Sequence, residues 1–422
     1  MFHYVQTPEI SRAPSALLLQ GPVGPFFHEL QLGLQSRGVA VRRVLFNAGD
    51  RAFADAKNCL HFAGSLDEWG LWLHRELERD RPDFIVLFGA MRPIHRIAKE
   101  IAVTHHVRVV CLEEGYLRSG YITCEDGGNN SASPLCTWAP DENCERPVPE
   151  AAKINASQFP LRLLSTIYYL QRDFRSEPDE ELLFHRRREG VVQLSWSWAK
   201  HLVTRAFARY EAFTKIKRLK TSLSGKYILV PLQTPGDSQL RFAARGWSNE
   251  KLIKRTLRAL KESGSDELAV FKMHPLDRKV ARTRAYVLRT AEKLGMLDRV
   301  MIINAGAIGE ITHHAAGVVL INSTSAFSAL HHRVPILVLG DAIYRHDDLV
   351  TIGDTTSDIR QFMAQRRVKC KDTIEMFIRA VRVQALLPGD FYNAKGRKVA
   401  VDEISDKLVK SLSIEKIETG TF

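Results

Sequence analysis

The stretch GVVLINSTSAFSALHHRVPILVL, residues 317–339, decides the reading of the fold. Gly317 to Asn322 is a short apolar run, closed by the polar turn Ser323-Thr324-Ser325. Ala326 to His331 then reads as a helix, and Pro335 to Leu339 as a second apolar run. Strand, turn, helix and strand in that order predict a crossover between parallel strands, with helices covering the sheet. Upstream, Lys226 to Leu232 (KYILVPL), Glu267 to Met273 (ELAVFKM) and Val300 to Asn304 extend the same series.

Further out, the N-terminal part repeats the pattern. Strands are predicted at Ala16 to Gln20, Val41 to Phe46, Phe84 to Phe88 and Val107 to Leu112. Helical spacing falls between them, from about Phe26 to Arg37, Leu66 to Arg79 and Ile94 to Thr104. Phe159 to Lys220 contains no convincing strand and reads as a helical connection, and the tail from about Thr373 is helical in pattern. The division expected is 1–158, 159–222, 223–372 and 373–422. Two Rossmann-like α/β domains facing an interdomain cleft account for it; a single larger doubly wound domain is the alternative. No repeat of solenoid period is present.

The bulk properties agree with this class. At ~150 residues per domain, 422 residues make two to three domains, and 45% apolar with 26% charged residues is ordinary for a globular chain. Disordered, collagenous and low-complexity architectures are excluded. The six cysteines form no C-x-x-C pair, against a zinc ribbon or a thioredoxin-type site. The first residues lack a basic region followed by a long apolar core, and no apolar run approaches the ~20 residues that span a bilayer. These features predict a cytoplasmic protein whose membrane contact is peripheral. The net charge of +12 asks for an anionic partner: nucleic acid, a phospholipid surface or a nucleotide-bearing substrate.

Ligands of open α/β sheets bind beyond the carboxyl ends of the strands, and polar residues collect there. The first strand runs into Gln20-Gly21-Pro22-Val23-Gly24-Pro25, which is either a tight turn or a place for backbone to approach an anion at a helix N-terminus. It is neither a P-loop nor a G-x-G-x-x-G loop. The fourth strand ends in Glu113-Glu114-Gly115; one carboxylate can serve as acid or base, or both can lie in a surface turn. Gln233 to Gln239 follows the first strand of the second half, and its Asp237 is either a turn-stabilising residue or a nucleophile for an anomeric carbon. Lys272-Met273-His274-Pro275 ends the next strand, with Pro275 holding His274 extended, suited to a phosphate oxygen or a proton. The hydroxyls of Ser323, Thr324 and Ser325 either cap a helix or bind phosphate with the free N–H groups.

Together, LLLQGPVGPFFHEL, FNAGDRAF, CLEEGYLRSGYIT, FKMHPLDR and LINSTSAFSALHHRVPILVLGDAIY resemble the capsule polysaccharide biosynthesis family, over roughly Ala16 to Tyr344. Its characterised members are β-Kdo transferases of group 2 capsule assembly, and the length is similar to the type with a single catalytic module. The resemblance implies a GT-B fold and CMP-β-Kdo as donor, transferred with retention by a peripheral protein at the inner face of the cytoplasmic membrane. The implied acceptor is lysophosphatidylglycerol or that lipid already carrying Kdo. Gln20, Gly21, Gly24 and Gln233 are expected as acceptor or loop residues, the first three in an acceptor-side first domain and Gln233 in a nucleotide-sugar-binding third segment. The family's carboxylate–carboxylate–glycine motif is matched by Glu113, Glu114 and Gly115, its HP motif by His274 and Pro275, and its Ser/Thr motif by Ser323, Thr324 and Ser325. Lys272 joins the nucleotide-binding set. Asp237 occupies the place of the nucleophile proposed for related retaining enzymes. No D-x-D triplet is positioned for a metal, and no cofactor is expected.

The basic surplus is concentrated in His185-Arg186-Arg187-Arg188 and in Lys200 to Lys220, where Phe207, Tyr210 and Phe213 recur at helical spacing. Such a helix can lie on an anionic leaflet; alternatively its aromatic residues pack on the core and only the charges face outward. A non-catalytic nucleic-acid or capsule assembly protein would also carry +12. The sequence has no RNP motif, helix-turn-helix signal or zinc finger, and this reading leaves the polar strand ends unexplained. A sialyltransferase-like or polyol-phosphate transferase is the nearer alternative.

Overall fold

The computed structural model describes residues 12–117, 119–140, 146–154, 157, 159–180, 210–234, 238–274, 277 and 280–418. The chain forms two compact units. One is built from Met1–Gly127, Pro149–Arg188 and Leu386–Phe422, the other from Gly128–Val148 and Glu189–Ala385.

In the first unit the apolar runs become β1 (Ser15–Leu18), β2 (Ala40–Leu45), β3 (Cys59–His61), β4 (Phe84–Phe88) and β5 (Arg108–Glu114), all parallel, and β6 (Tyr121–Asp126), antiparallel to β5. Successive side chains alternate between faces. Ala16, Leu18, Val86 and Leu112 pack with the helices Phe26–Gln35 and Ala394–Glu418. Leu17, Leu19, Ile85, Leu87 and Cys111 pack on the other face with the helices Leu66–Arg79 and Pro93–Thr104. The first of these begins at Leu66 because Ser65 and Glu68 form a capping box.

The second unit holds β7 (Tyr227–Pro231), β8 (Leu268–Lys272), β9 (Val300–Ile303), β10 (Gly317–Leu320), β11 (Ile336–Val338) and β12 (Thr351–Ile352), all parallel in the order β12-β11-β10-β7-β8-β9. Ile228, Val230, Phe271, Val319 and Leu337 form one core with the helices Asn249–Glu262 and Thr356–Ala364. The chain then returns to the first unit as β13 (Leu386–Pro388), antiparallel to β6, completing the order β13-β6-β5-β4-β1-β2-β3.

The α/β class and the two Rossmann-like units are those read from the sequence. The strands β3, β6, β12 and β13 are additions, and all of them except β6 are only two or three residues long. The segment expected to be a helical connection contributes the helix Phe159–Arg175 to the first unit and helical residues 210–220 to the second. The end of the expected tail, Ala394–Glu418, packs on the first sheet. Packing Tyr210 and Phe213 on the core fails: Ala212, Ile216 and Leu219 form the buried stripe of their helix, leaving Tyr210 and Phe213 on its exposed side. His185 to Arg188, Lys200 and Phe207 lie outside the described residues, as do Asp237 and Pro275.

Candidate functional site

Each sheet has one place where its strand order reverses. In the first unit the chain leaves β1 toward β2 and β3, then returns on the other side as β4. In the second it leaves β7 toward β8 and β9, then returns as β10. The crevice at such a reversal is where α/β sheets take ligands. The polar strand ends gather at these two places, one group on each unit.

In the first unit, Gln20 is buried just beyond β1. Its Nε2 donates to Asp50 Oδ2 at 3.3 Å and its Oε1 accepts from Arg92 Nη1 at 3.2 Å. Both ends of its amide are therefore used in holding the loop. Asp50 also accepts from the Phe46 N–H at 3.1 Å and from Tyr168 Oη at 3.0 Å. Burial still raises the pKa of this carboxyl, opposed by the nearby Arg43. The glycines of the loop have packing reasons. A Cβ on Gly21 would meet the Phe27 ring at 2.5 Å, and Gly24, at φ +109°, would meet Leu164.

Glu113 and Glu114 are the last two residues of β5 and are half-buried. Being consecutive on a strand, they face opposite sides of the sheet. Glu114 shares its side with Leu112, the side covered by the helix Phe26–Gln35. Glu113 lies on the side of the helix Pro93–Thr104: a Cβ on Gly89 would stand 3.2 Å from Arg92 Nε and 3.4 Å from Glu113 Oε2. Gly115 is required because a Cβ there would sit 2.5 Å from the Tyr121 carbonyl oxygen across the hairpin.

In the second unit, Asn249 grips the backbone of Gln233, with Nδ2 donating to its carbonyl at 2.6 Å and Oδ1 accepting from its N–H at 3.3 Å. The loop toward Asp237 thus starts from a fixed point. At the end of the neighbouring β8, Lys272 is 5% exposed, and its ammonium donates to the Met273 carbonyl at 3.1 Å. Desolvation pulls its pKa down to about 8. His274 is half-buried, and its carbonyl accepts from the Asp277 N–H at 3.0 Å.

On the other side of β7, the turn after β10 is built from its own hydroxyls. Ser325 Oγ donates to Ser323 Oγ at 2.9 Å, and the Ser325 N–H to the same oxygen at 3.3 Å. Ser325 stands at the N-cap of the helix Ala326–His331 without a side-chain cap bond, and Thr324 is exposed. Buried Tyr344 fixes the turn, its Oη donating to the Ser323 carbonyl at 2.7 Å. Asn322 Nδ2 donates to the Ala243 carbonyl at 3.1 Å. The sheet order sets β8 two strand spacings from β10, roughly 10 Å, with the Gln233 loop between them.

The group on the second unit combines a buried ammonium, an imidazole and clustered hydroxyls, which suits a phosphate. The group on the first unit supplies carboxylates, which suits a hydroxyl-bearing substrate. Asp50, Arg92, Asn249 and Tyr344 escape the sequence reading. Arg92 had a usable signal, since it follows the apolar run Phe84 to Phe88 and directly precedes Pro93 at the start of a helix. Among the described residues, no group of three His, Cys, Asp or Glu is arranged to hold a metal ion. No described helix is long and apolar enough to cross a membrane.

Residues 83–392 match the family described as capsule polysaccharide biosynthesis protein. The chain is 34% identical over 343 residues to the capsule polysaccharide export protein KpsS of Escherichia coli, covering 78% of this chain and 85% of that one. It is 30% identical over 351 residues to the capsule polysaccharide modification protein LipB of Neisseria meningitidis, covering 79% and 82%. Among solved structures it is similar to the Thermosulfurimonas dismutans KpsC β-Kdo 2,7 transferase, at 14% identity and a TM-score of 0.42, covering 93% of this chain and 99% of that one.

Proposed function

The chain belongs to the capsule polysaccharide biosynthesis family, and from that premise we propose that it is a retaining β-Kdo transferase. In this reading it uses CMP-β-Kdo to build the Kdo linker of capsular polysaccharide on lysophosphatidylglycerol or its Kdo-primed form. It works as a peripheral protein at the inner face of the cytoplasmic membrane. The observation that carries the reading is the phosphate-suited group of the second unit. A buried lysine whose one hydrogen bond among the described residues goes to a backbone carbonyl stands beside His274, across β7 from a turn of three hydroxyls.

The anomeric carbon of Kdo is quaternary and bears a carboxylate, so departure of CMP develops oxocarbenium character. The Asp237 carboxylate attacks that carbon, the bond to the phosphate oxygen breaks, and CMP leaves. Lys272, His274, Ser323, Thr324 and Ser325 take up the charge on the departing phosphate. Glu114 then removes the proton of the acceptor hydroxyl, whose oxygen displaces Asp237 with a second inversion. The face that Glu114 shares with the helix behind the Gln20–Pro25 loop favours it over Glu113, which lies beside Arg92. Gln20, Gly21, Gly24 and Gln233 shape the two loops. CMP carries a single phosphate, so lysine and histidine suffice without a metal or cofactor.

The name export protein carried by the E. coli relative supports a second reading, a non-catalytic capsule assembly role. Incubation with lysophosphatidylglycerol and CMP-Kdo, CMP-sialic acid or CDP-glycerol separates the readings. The transferase reading requires release of CMP from CMP-Kdo above the rates for the other two donors. Preference for another donor indicates a different nucleotide-dependent transferase, and no release from any donor favours assembly.

A further inference from the structure

The helix Phe159–Arg175 is docked to the first unit through a polar inner face. Ser165, Tyr168, Tyr169 and Arg172 are buried, and Tyr168 Oη donates to Asn47 Oδ1 and Asp50 Oδ1, each at 3.0 Å. Its outer face is apolar. Phe159, Leu163, Ile167, Leu170 and Phe174 are 69, 48, 36, 41 and 71% exposed. Their steps of four, four, three and four residues line them up along the whole length of the helix, about 25 Å at 1.5 Å per residue. A contiguous apolar row of this size is among the larger patches of a soluble surface and is commonly an interaction site.

We propose that this outer face docks onto an anionic lipid surface, a proposal that rests on the reading of a lipid-borne acceptor. The apolar area suffices for that occupant, and charge selects it. With about 200 Å² for each aromatic side chain and somewhat less for each aliphatic one, the stripe offers roughly 500 Å². Binding to a bilayer grows with such apolar area and with attraction between basic residues and anionic headgroups. The helix contains three arginines and a single acid, Asp173, which is paired with the buried Arg172 at 2.7 Å. The chain as a whole carries +12.

The inner face gives the docking a consequence. Asp50, which Tyr168 holds, also holds Gln20, and Leu164 fills the space left by Gly24. A helix seated on lipid therefore supports the acceptor-side loop directly from behind.

The test is flotation of the full chain with vesicles of phosphatidylcholine alone or mixed equally with phosphatidylglycerol. The wild type should float with the anionic vesicles. Phe159→Ser and Phe174→Ser should each weaken binding by about tenfold or more, with unchanged thermal unfolding. Leu170→Gln repeats the test should either Phe variant lose stability. Failure of the wild type to bind, equal binding by the variants, or a dimer that the substitutions dissolve while vesicle binding persists would each overturn the proposal. Transfer to lysophosphatidylglycerol supplied as monomers should be unaffected in these variants, and transfer to acceptor in vesicles should fall. A wild type that floats but transfers nothing removes the transferase reading and leaves the docking surface standing.

Discussion

Lys272 brings a positive charge into an interior that gives it, among the described residues, only a backbone carbonyl. Its pKa falls from 10.5 to about 8, so the unfolded chain binds the proton more tightly than the folded one. The cost is full below pH 8 and disappears as pH rises through 10.5. Lys272→Met should therefore raise stability at pH 7 by up to about 3 kcal/mol, measured by thermal or urea unfolding, and the gain should fade by pH 11. The same variant should bind CMP more weakly if the proposed phosphate role holds, and unchanged CMP affinity would remove Lys272 from that role. Asp237→Asn should abolish transfer with CMP affinity nearly intact, since an amide keeps the shape and loses the nucleophile. His274→Ala should weaken CMP binding roughly 10- to 150-fold, the value of one charge-assisted hydrogen bond; calorimetry with CMP distinguishes the two. Lys272 and His274 were legible because they end an apolar run with polar residues. The role of Asp50 was not, although FNAGDRAF contains it, because its partner Tyr168 is 118 positions away.

At the scale of elements, the β5–β6 hairpin explains the glycine of the carboxylate pair. Gly115→Ala would push a methyl group against the Tyr121 carbonyl, which is backbone and not the far end of a flexible side chain. A loss of about 1–3 kcal/mol is expected, seen as a lower urea midpoint with unchanged slope, together with reduced transfer as the end of β5 shifts. An unchanged midpoint would show that the hairpin relaxes freely. The strands flanking each reversal point were readable because both of their faces are buried, which makes the runs continuously apolar. β6, with the sequence YITCED, was hidden by its mixed composition, and β13 is only three residues long. The turn Ser323-Thr324-Ser325 was found as a motif. Its tie to Tyr344, which fixes the turn, follows from a contact 21 positions away that no local pattern encodes.

At the scale of the molecule, the alternation of strands and helices was enough to predict two Rossmann-like units. The return of the chain from the second unit to the first was not, because β13 and the helix Ala394–Glu418 reveal their partners only through long-range packing. The proposed division of labour sets carboxylates on the first unit to activate an acceptor hydroxyl and cationic and hydroxyl groups on the second to hold a donor phosphate. A reaction driven by these groups should survive EDTA; complete loss, restored by Mg²⁺ or Mn²⁺, would assign the charge neutralisation to a metal. Retaining transfer of Kdo from CMP-Kdo is decided by incubating the protein with CMP-Kdo and lysophosphatidylglycerol and determining the anomeric configuration of the product by NMR. Stoichiometric release of CMP and a β-linked Kdo lipid are expected; an α-linked product, or no product with active donor and acceptor present, would overturn the retaining β-Kdo transferase reading.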